Sequence, residues 1–313
     1  MKSIIEKLTE DMKVKITERK ARKILLQVPE GLKIYASEIA GNLEMTGPEV
    51  IISIEPCFGA CDLRDNEAKK MGCDLLVHIG HADFGVRTEV PVIHHEFRME
   101  YDFRKILIEN IKKLEKFKKI GVMTTIQYVD SVPQIKQTLE HNGKEVLVGN
   151  NKKTGYQGHV LGCDFSAVNS LENKVDCFIY FGSGRFHPSG FLTEKPFFVI
   201  DSERGEIFDI SPEIRKEMIK KELSIEKARN MKNFVIYIST KPGQMHPERV
   251  HKIKKKLLSI GKEVIVVSAD MLIPEKLLGI KCDVVVNTAC PRLKEDSLQF
   301  KKIILNPEDV DKL

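Results

Sequence analysis

The chain contains three copies of a short segment in which adjacent Cys and Asp residues lead into an apolar run. The copies occupy residues 73–77, 175–180 and 281–286. The spacing from Asp74 to Asp176 is 102 residues and that from Asp176 to Asp283 is 107. A period near 100 residues is the size of a domain, not of a solenoid repeat. The sequence therefore predicts a triplication of one small domain.

The predicted strands repeat in the same order in each copy. They lie at 23–28, 49–54, 74–79 and 90–93, then at 120–124, 144–148, 176–181 and 197–200, and finally at 233–238, 262–267, 283–287 and 302–305. Runs that are apolar on both faces and separated by helices indicate parallel strands with covered faces. We predict the α/β class with three homologous small domains at 1–100, 101–208 and 209–313. Each is a mainly parallel four-stranded sheet flanked by helices, and a charged helix over 212–232 links the last two.

Composition limits the classes of function. The chain has 50 Lys and Arg against 45 Asp and Glu, only 7% aromatic residues and no Trp, so a nucleic-acid partner is not indicated. No apolar run approaches the roughly 20 residues of a membrane span, and the charged N-terminus is unlike a signal peptide. We expect a cytoplasmic protein whose seven cysteines are reduced thiols or metal ligands.

The cysteines divide into two groups. Those of the repeated segment occupy one equivalent strand-entry position and are predicted to be core residues: Cys73, Cys177 and Cys282. The others lie in loops that contain Gly, Ala or Pro: Cys57, Cys61, Cys163 and Cys290. Four thiolates could hold a structural zinc ion, and three could hold an iron–sulfur cluster with one open iron. No CxxC pair is present, so spacing leaves both alternatives open.

Several short motifs, in order along nearly the whole chain, resemble those of the archaeal diphthamide biosynthesis enzymes. They are Pro-Glu-Gly-Leu at 29–32, Gly-Ala-Cys-Asp at 59–62, Gly-Ser-Gly-Arg-Phe-His at 182–187, Lys-Pro-Gly-Gln at 241–244 and Ala-Cys-Pro-Arg-Leu at 289–293. The resemblance implies three related α/β domains around a central [4Fe–4S] cluster. It maps the cluster ligands onto Cys61, Cys163 and Cys290, and gives Cys57 no ligand role.

The resemblance also implies a reaction. S-adenosylmethionine would bind the open iron, and an electron from the cluster would break the bond between its sulfur and the methionine γ-carbon. The resulting 3-amino-3-carboxypropyl radical would add to a histidine of translation elongation factor 2, the first step of diphthamide synthesis. The implied partners are this factor, a low-potential electron donor and a second copy of the chain.

Polar residues of the same loops are candidate contacts for S-adenosylmethionine. Arginines can grip a carboxylate bidentately, a histidine can donate a hydrogen bond or act as a base, and glycines permit close backbone approach. The candidates are Gly182, Gly184, Arg185, His187 and Arg292. Four further histidines fall across a strand and loops, and we interpret them as structural: His78, His81, His94 and His95.

Two other functions remain open from the sequence. A dehydratase similar to quinolinate synthase would also use three α/β repeats and a three-cysteine cluster, but its open iron would act as a Lewis acid on a small dicarboxylate. A non-catalytic subunit stabilised by a metal ion is the second alternative.

Overall fold

The computed structural model of the protein describes residues 2–313, without the side chains of residues 2–4 and 7. Within this range the chain forms thirteen strands in three separate sheets. It divides into two compact units, the first ending at Met99 and the second running from Glu100 to Leu313. The second unit contains two of the three sheets, so the division into three domains stays a prediction.

The first unit contains one parallel sheet with the strand order β2-β1-β3-β4. Its elements are α1 (Lys2–Arg19), β1 (Lys23–Gln27), a 3₁₀ helix (Glu30–Tyr35), α2 (Ala36–Glu44), β2 (Glu49–Ser53), α3 (Asp65–Lys70), β3 (Leu75–Ile79) and β4 (Val92–His95). One face of the sheet is covered by α1 and α2, whose Met12, Ile16 and Ile39 pack against the buried side chains of β1.

The second unit begins with a five-stranded sheet of order β6-β5-β7-β8-β9. Its elements are α4 (Arg104–Glu109), a 3₁₀ helix (Ile111–Leu114), β5 (Lys119–Thr124), a 3₁₀ helix (Ile126–Ser131), α5 (Val132–His141), β6 (Glu145–Leu147), α6 (Ser166–Asn169), β7 (Cys177–Gly182), α7 (Phe186–Ser189), β8 (Phe197–Asp201) and β9 (Glu206–Asp209). The edge strand β9 is antiparallel to β8 and was not predicted.

The same unit ends with a four-stranded parallel sheet of order β11-β10-β12-β13. Its elements are α8 (Ser211–Arg229), β10 (Asn233–Ser239), a 3₁₀ helix (Pro242–Gln244), α9 (Pro247–Ser259), β11 (Glu263–Ala269), a 3₁₀ helix (Pro274–Leu277), β12 (Val284–Asn287), a 3₁₀ helix (Pro291–Asp296), α10 (Ser297–Phe300), β13 (Ile303–Leu305) and α11 (Pro307–Val310).

The predicted fold class is confirmed. In every sheet the first strand of the repeat lies between the second and the third, and the fourth pairs with the third. All twelve predicted strands are present, with ends within two residues of the predicted ends. The predicted linking helix is α8, which begins and ends slightly earlier than expected. Among residues 2–313, no helix combines the length and the apolar character that crossing a membrane requires.

The repeated Cys-Asp segment has the same structural role in each sheet. The cysteines Cys73, Cys177 and Cys282 are buried, as predicted for core residues. The aspartate beside each accepts hydrogen bonds from backbone N–H groups where the first strand of the repeat begins. The donors are Arg22 and Lys23 for Asp74, Lys118 and Lys119 for Asp176, and Asn233 for Asp283. The repeated Cys-Asp segment therefore links two neighbouring strands at their amino ends.

These hydrogen bonds give a stability test at Asp176, where one carboxylate oxygen accepts both backbone bonds at 2.8 Å. The bond from Lys119 and then that from Lys118 lower the pKa of this carboxyl. We expect Asp176→Ala to reduce the free energy of unfolding by about 1–2 kcal/mol at pH 7, because two hydrogen bonds are lost. Urea denaturation followed by circular dichroism measures the change.

The control is Asp176→Asn, which keeps an acceptor oxygen at the same place and should lose less. The ionised carboxylate stabilises the native chain at every pH above the ordinary aspartate pKa. That advantage over Asn should disappear as the pH falls through the lowered native value. Equal stability of all three proteins at pH 7 would contradict the assigned role.

Candidate metal centre

Cys61 lies in a loop of the first unit, between β2 and α3, that polar contacts hold in place. The Asp62 N–H donates to the Gly59 carbonyl at 3.0 Å and closes a tight turn around the cysteine. The Asp62 carbonyl accepts the side-chain amide of Gln27 at 2.6 Å. The buried Asp62 carboxylate lies 3.3 Å from the Arg64 guanidinium, which also donates to the Pro56 carbonyl. Cys61 is partly accessible on this fixed turn.

Cys57 occupies a different environment four residues earlier. It is buried, and burial together with the nearby Asp62 carboxylate raises its pKa to about 12. Its Sγ lies in a group with one nitrogen each of His78 and His81, in which the three donor atoms are within 4.8 Å of one another. The loop that carries Cys61 therefore brings a second thiol to the end of β3.

Three of the four histidines that the sequence analysis interprets as structural lie close together. The His78 Nε2 and His81 Nδ1 atoms are 3.1 Å apart, and the ring of His94, on the neighbouring strand β4, is 5.4 Å from that of His78. Burial lowers the pKa of His78 well below its ordinary value and that of His81 to about 4. The sequence signal that could have revealed this group is the His-x-x-His spacing at the end of a strand. Gly80 within it has φ of +104°, which turns the chain back toward His78.

Cys163 lies in a tight turn of the second unit. Leu161 and Asp164 exchange backbone hydrogen bonds of 2.9 and 3.2 Å across it. The Asp164 carboxylate accepts from the Ser166 N–H at 2.7 Å, which fixes the start of α6. The residue is exposed, and desolvation of its sulfur within the turn raises its pKa.

Cys290 immediately precedes the 3₁₀ helix Pro291–Asp296, just after β12 ends. The Asn287 amide donates to the Cys290 carbonyl at 2.7 Å and to Asn306 Oδ1 at 3.1 Å. Asn306 in turn donates to the Pro291 carbonyl at 3.1 Å. Two buried asparagines thus hold the backbone on both sides of this cysteine.

Cys163 and Cys290 lie near each other, although 127 positions separate them in the sequence. Burial raises the pKa of Cys290, and the proximity of the Cys163 thiol raises it further. This proximity brings a loop of the second repeat close to a loop of the third. That Cys61 joins these two thiols in one metal site stays a prediction; soft thiolates of this kind suit iron–sulfur clusters and zinc.

Arg292 connects the same two loops. Its buried guanidinium donates to the Ser189 hydroxyl at 2.9 Å and forms an ion pair with Glu295. It also lies 4.2 Å from the centre of the Phe186 ring. A Cβ atom on Gly190 would overlap it, so any larger residue at this position would push the guanidinium out of its present place. The side chain holds the Cys290 loop against α7, and its predicted contact with S-adenosylmethionine stays a prediction.

The remaining candidates lie in the loop that joins β7 to α7. Gly182 is the last residue of β7, and Gly184 adopts φ of +68°, so the backbone turns sharply before Arg185. Arg185 is half exposed, stacks over the Phe208 ring at 4.6 Å and lies 3.4 Å from the Glu213 carboxylate. His187, in α7, contacts the edge of the Phe186 ring. This loop is adjacent to Arg292 and so to the Cys290 loop.

Comparison with known protein families gives one match that spans most of the chain. The model of the family described as "Putative diphthamide synthesis protein" matches residues 28–312. A protein of Pyrococcus horikoshii named 2-(3-amino-3-carboxypropyl)histidine synthase is 35% identical over 298 residues, which cover 93% of this chain and 85% of the relative. A Caenorhabditis elegans protein named 2-(3-amino-3-carboxypropyl)histidine synthase subunit 1 is 32% identical. The match covers 94% of this chain and 76% of that relative.

The fold comparison agrees with the sequence comparison. The crystal structure of Dph2 from Pyrococcus horikoshii with a 4Fe-4S cluster matches with a TM-score of 0.89 at 32% identity. The match covers 97% of this chain and 89% of the crystallised chain. Identity at this level together with a shared fold over nearly the full length indicates common ancestry.

Gly190, which lies next to the Arg292 guanidinium, offers a test of the contact between the second and third repeats. We expect Gly190→Ala to lower the thermal unfolding midpoint by several degrees, because the added methyl group displaces a buried cation that has several partners. The matched control is Gly41→Ala in α2, where a methyl group meets nothing within 4 Å. Differential scanning calorimetry of both variants measures the shift, and equal midpoints would contradict the packing role of Arg292.

Proposed function

The chain belongs to the diphthamide synthesis protein family, and on this basis we propose which of its loops bind the cluster and which contact the substrate. The protein is a 2-(3-amino-3-carboxypropyl)histidine synthase. It transfers the 3-amino-3-carboxypropyl group of S-adenosylmethionine to a histidine of translation elongation factor 2. The observation that carries this conclusion is the match along nearly the whole length in both sequence and fold.

We assign the three ligands of a [4Fe–4S] cluster to Cys61, Cys163 and Cys290. Each lies on a loop whose backbone is fixed by hydrogen bonds, and two of them are already neighbours in the second unit. Only three protein thiolates are used, which leaves one iron for the substrate. When bound, the reduced cluster supplies the electron that cleaves the bond between the substrate sulfur and its γ-carbon.

The protein environment prepares these thiols to act as ligands. Desolvation raises the pKa values of Cys163 and Cys290, so both are protonated thiols at neutral pH in the metal-free chain. Metal binding must therefore release their protons. Arg292 lies beside Cys290, and its positive charge lowers the thiol pKa in opposition to burial. Its role in the proposal is to position the Cys290 loop and to favour the thiolate.

We propose that the loop from Gly182 to His187 contacts S-adenosylmethionine. Arg185 is suited to the carboxylate of the methionine portion, because its present ion pair with Glu213 is half exposed and therefore weak. The exposed pair can be exchanged for a bidentate contact with a ligand at small cost. Gly182 and Gly184 allow the ligand close to the backbone, and His187 is a hydrogen-bond donor or base at the edge of the same loop.

The proposal extends to partners and location. Elongation factor 2 is the protein substrate of this pathway. A low-potential electron donor must reduce the cluster before each cleavage, and a homodimer is the assembly we propose. We place the protein in the cytoplasm, where the factor acts in translation and thiols remain reduced.

The transferase activity has a direct test with two products. The protein is purified without oxygen, reconstituted with iron and sulfide, reduced with dithionite, and mixed with S-adenosylmethionine and elongation factor 2. We expect methylthioadenosine by chromatography and an added 3-amino-3-carboxypropyl group by mass spectrometry of the factor. The control is the factor with its acceptor histidine replaced by glutamine. Failure of a fully loaded enzyme to give either product would contradict the function.

The ligand assignment has a separate spectroscopic test. We expect Cys61→Ala, Cys163→Ala and Cys290→Ala each to abolish the broad visible absorbance of the reconstituted cluster, because each removes one of three ligands. Cys57→Ala is the matched control, four residues from Cys61, and should retain most of the absorbance and iron. Full retention in any of the three variants excludes that residue, and loss in the control would show that Cys57 is the ligand in the first unit.

A further inference from the structure

A group of three potential metal ligands lies in the first unit and takes no part in the proposed reaction. It consists of Cys57 after β2, His78 near the end of β3 and His81 just beyond it, with donor atoms within 4.8 Å of one another. Cys57 and His78 are buried, and His81 is partly buried. One soft sulfur and two imidazole nitrogens at this spacing are a donor set typical of transition metals, not of magnesium or calcium.

The hydrogen bonds of Gln27 fix which nitrogen of His78 is available. The Gln27 amide NH₂ donates to the Asp62 carbonyl, and its Oε1 accepts from the Arg64 N–H at 3.3 Å, so the orientation of the amide is determined. His78 Nδ1 lies 3.1 Å from that same oxygen, which can only accept. Nδ1 therefore carries the proton. Because a fully buried imidazole without a carboxylate partner is neutral, the lone pair is on Nε2.

That lone pair points at His81, whose Nδ1 is 3.1 Å away. Two imidazole nitrogens bound to one tetrahedral zinc ion at about 2.0–2.1 Å would be roughly 3.3 Å apart, so the pair already has nearly the required spacing. In a tetrahedral zinc site the Cys57 sulfur would lie roughly 3.5 Å from each nitrogen. The three donor atoms are now within 4.8 Å of one another, so the sulfur would need to move by about 1 Å at most. Gln27 supplies the outer hydrogen bond that metal-bound histidines usually have.

The histidine on the neighbouring strand adds an independent observation. His94 packs edge-on against His78, and its buried Nδ1 has no hydrogen-bond partner among the described residues. A buried nitrogen of this kind normally has a partner in native proteins. Its position beside the three donors indicates a polar occupant, either the metal itself or a water molecule bound to it.

We propose that Cys57, His78 and His81 bind one zinc-type divalent ion that is separate from the iron–sulfur cluster. Three protein ligands leave a fourth position for water or His94, and the metal ties the Cys61 loop to the end of β3. On binding, the thiol of Cys57 loses its proton to solvent, the proton that His81 Nδ1 donates to His78 moves to His81 Nε2 so that Nδ1 can bind the ion, and no electron is transferred. The site shares no residue with the assigned cluster ligands, so the cluster assignment can fail at Cys163 or Cys290 without affecting it, but it fails if Cys57 proves to be the cluster ligand of the first unit.

The first measurement needs no variant. Elemental analysis of the purified full-length protein, grown with zinc, is expected to give about one zinc per chain in addition to iron. Cys57→Ser and His81→Asn should lose the zinc and keep the iron. Cys73→Ser, which removes another buried cysteine of the same unit, should keep both. A wild-type protein with iron but no zinc would overturn the proposal.

The second measurement identifies the ligands with Co²⁺ as the probe. The full chain with Cys61→Ala and Cys163→Ala, freed of metal, is titrated with Co²⁺ and followed by absorbance. We expect one thiolate-to-cobalt charge-transfer band that disappears in the additional variant Cys57→Ser. Gln27→Leu should weaken binding by about 10–100-fold while circular dichroism is unchanged. A band that remains without Cys57 would mean that another thiol binds the cobalt, and the absence of any band would mean that no thiolate binds it. Either result would overturn the proposal and leave His78 and His81 joined only by a hydrogen bond.

Discussion

In each repeat, the first strand lies in the middle of the sheet and pairs in parallel with the second and third strands. The other features of this protein depend on this arrangement. The carboxyl ends of the three strands therefore meet at one edge. Loops at that edge of an open sheet can carry ligands without disturbing the core. Cys61, Cys163 and Cys290 all lie in such loops. The repeated aspartates hold the opposite ends of the strands, which leaves the carboxyl ends free to vary.

The sequence predicted the strands well because these runs are rich in Val and Ile. The inner strands are also buried on both faces, as in β3, β7 and β12, whereas the edge strand β11 is largely exposed and was found from its Val and Ile content alone. The sequence missed β9, since Glu206–Asp209 is short and its antiparallel pairing depends only on a turn after β8. It also identified Cys73, Cys177 and Cys282 as buried residues by their place in the repeat, but it did not show that the loop cysteine Cys57 is buried too. Local pattern was sufficient wherever burial alone decided the structure.

Local pattern was insufficient for side chains whose partners are distant. Nothing in the sequence indicated that Arg292 contacts Ser189 and Phe186, which lie about a hundred positions away. His78 and His94 are sixteen positions apart in the sequence and become neighbours through the register of β3 and β4. Such pairings depend on strand register and loop path, which hydrophobic periodicity does not encode.

Two cysteines four residues apart can therefore have different chemistry. Cys57 is enclosed beside two neutral imidazoles, so its thiolate gains most from a single cation that all three can reach. Cys61 is partly accessible on a turn fixed by Asp62 and Arg64, where a larger inorganic core can approach. Burial makes the ionisation of a thiol unfavourable. Such a thiol binds a metal ion only if further ligands in the site stabilise the ion enough to offset the free energy of deprotonation. Under the two proposals, burial would favour a small ion at Cys57, and the accessible Cys61 would serve the cluster.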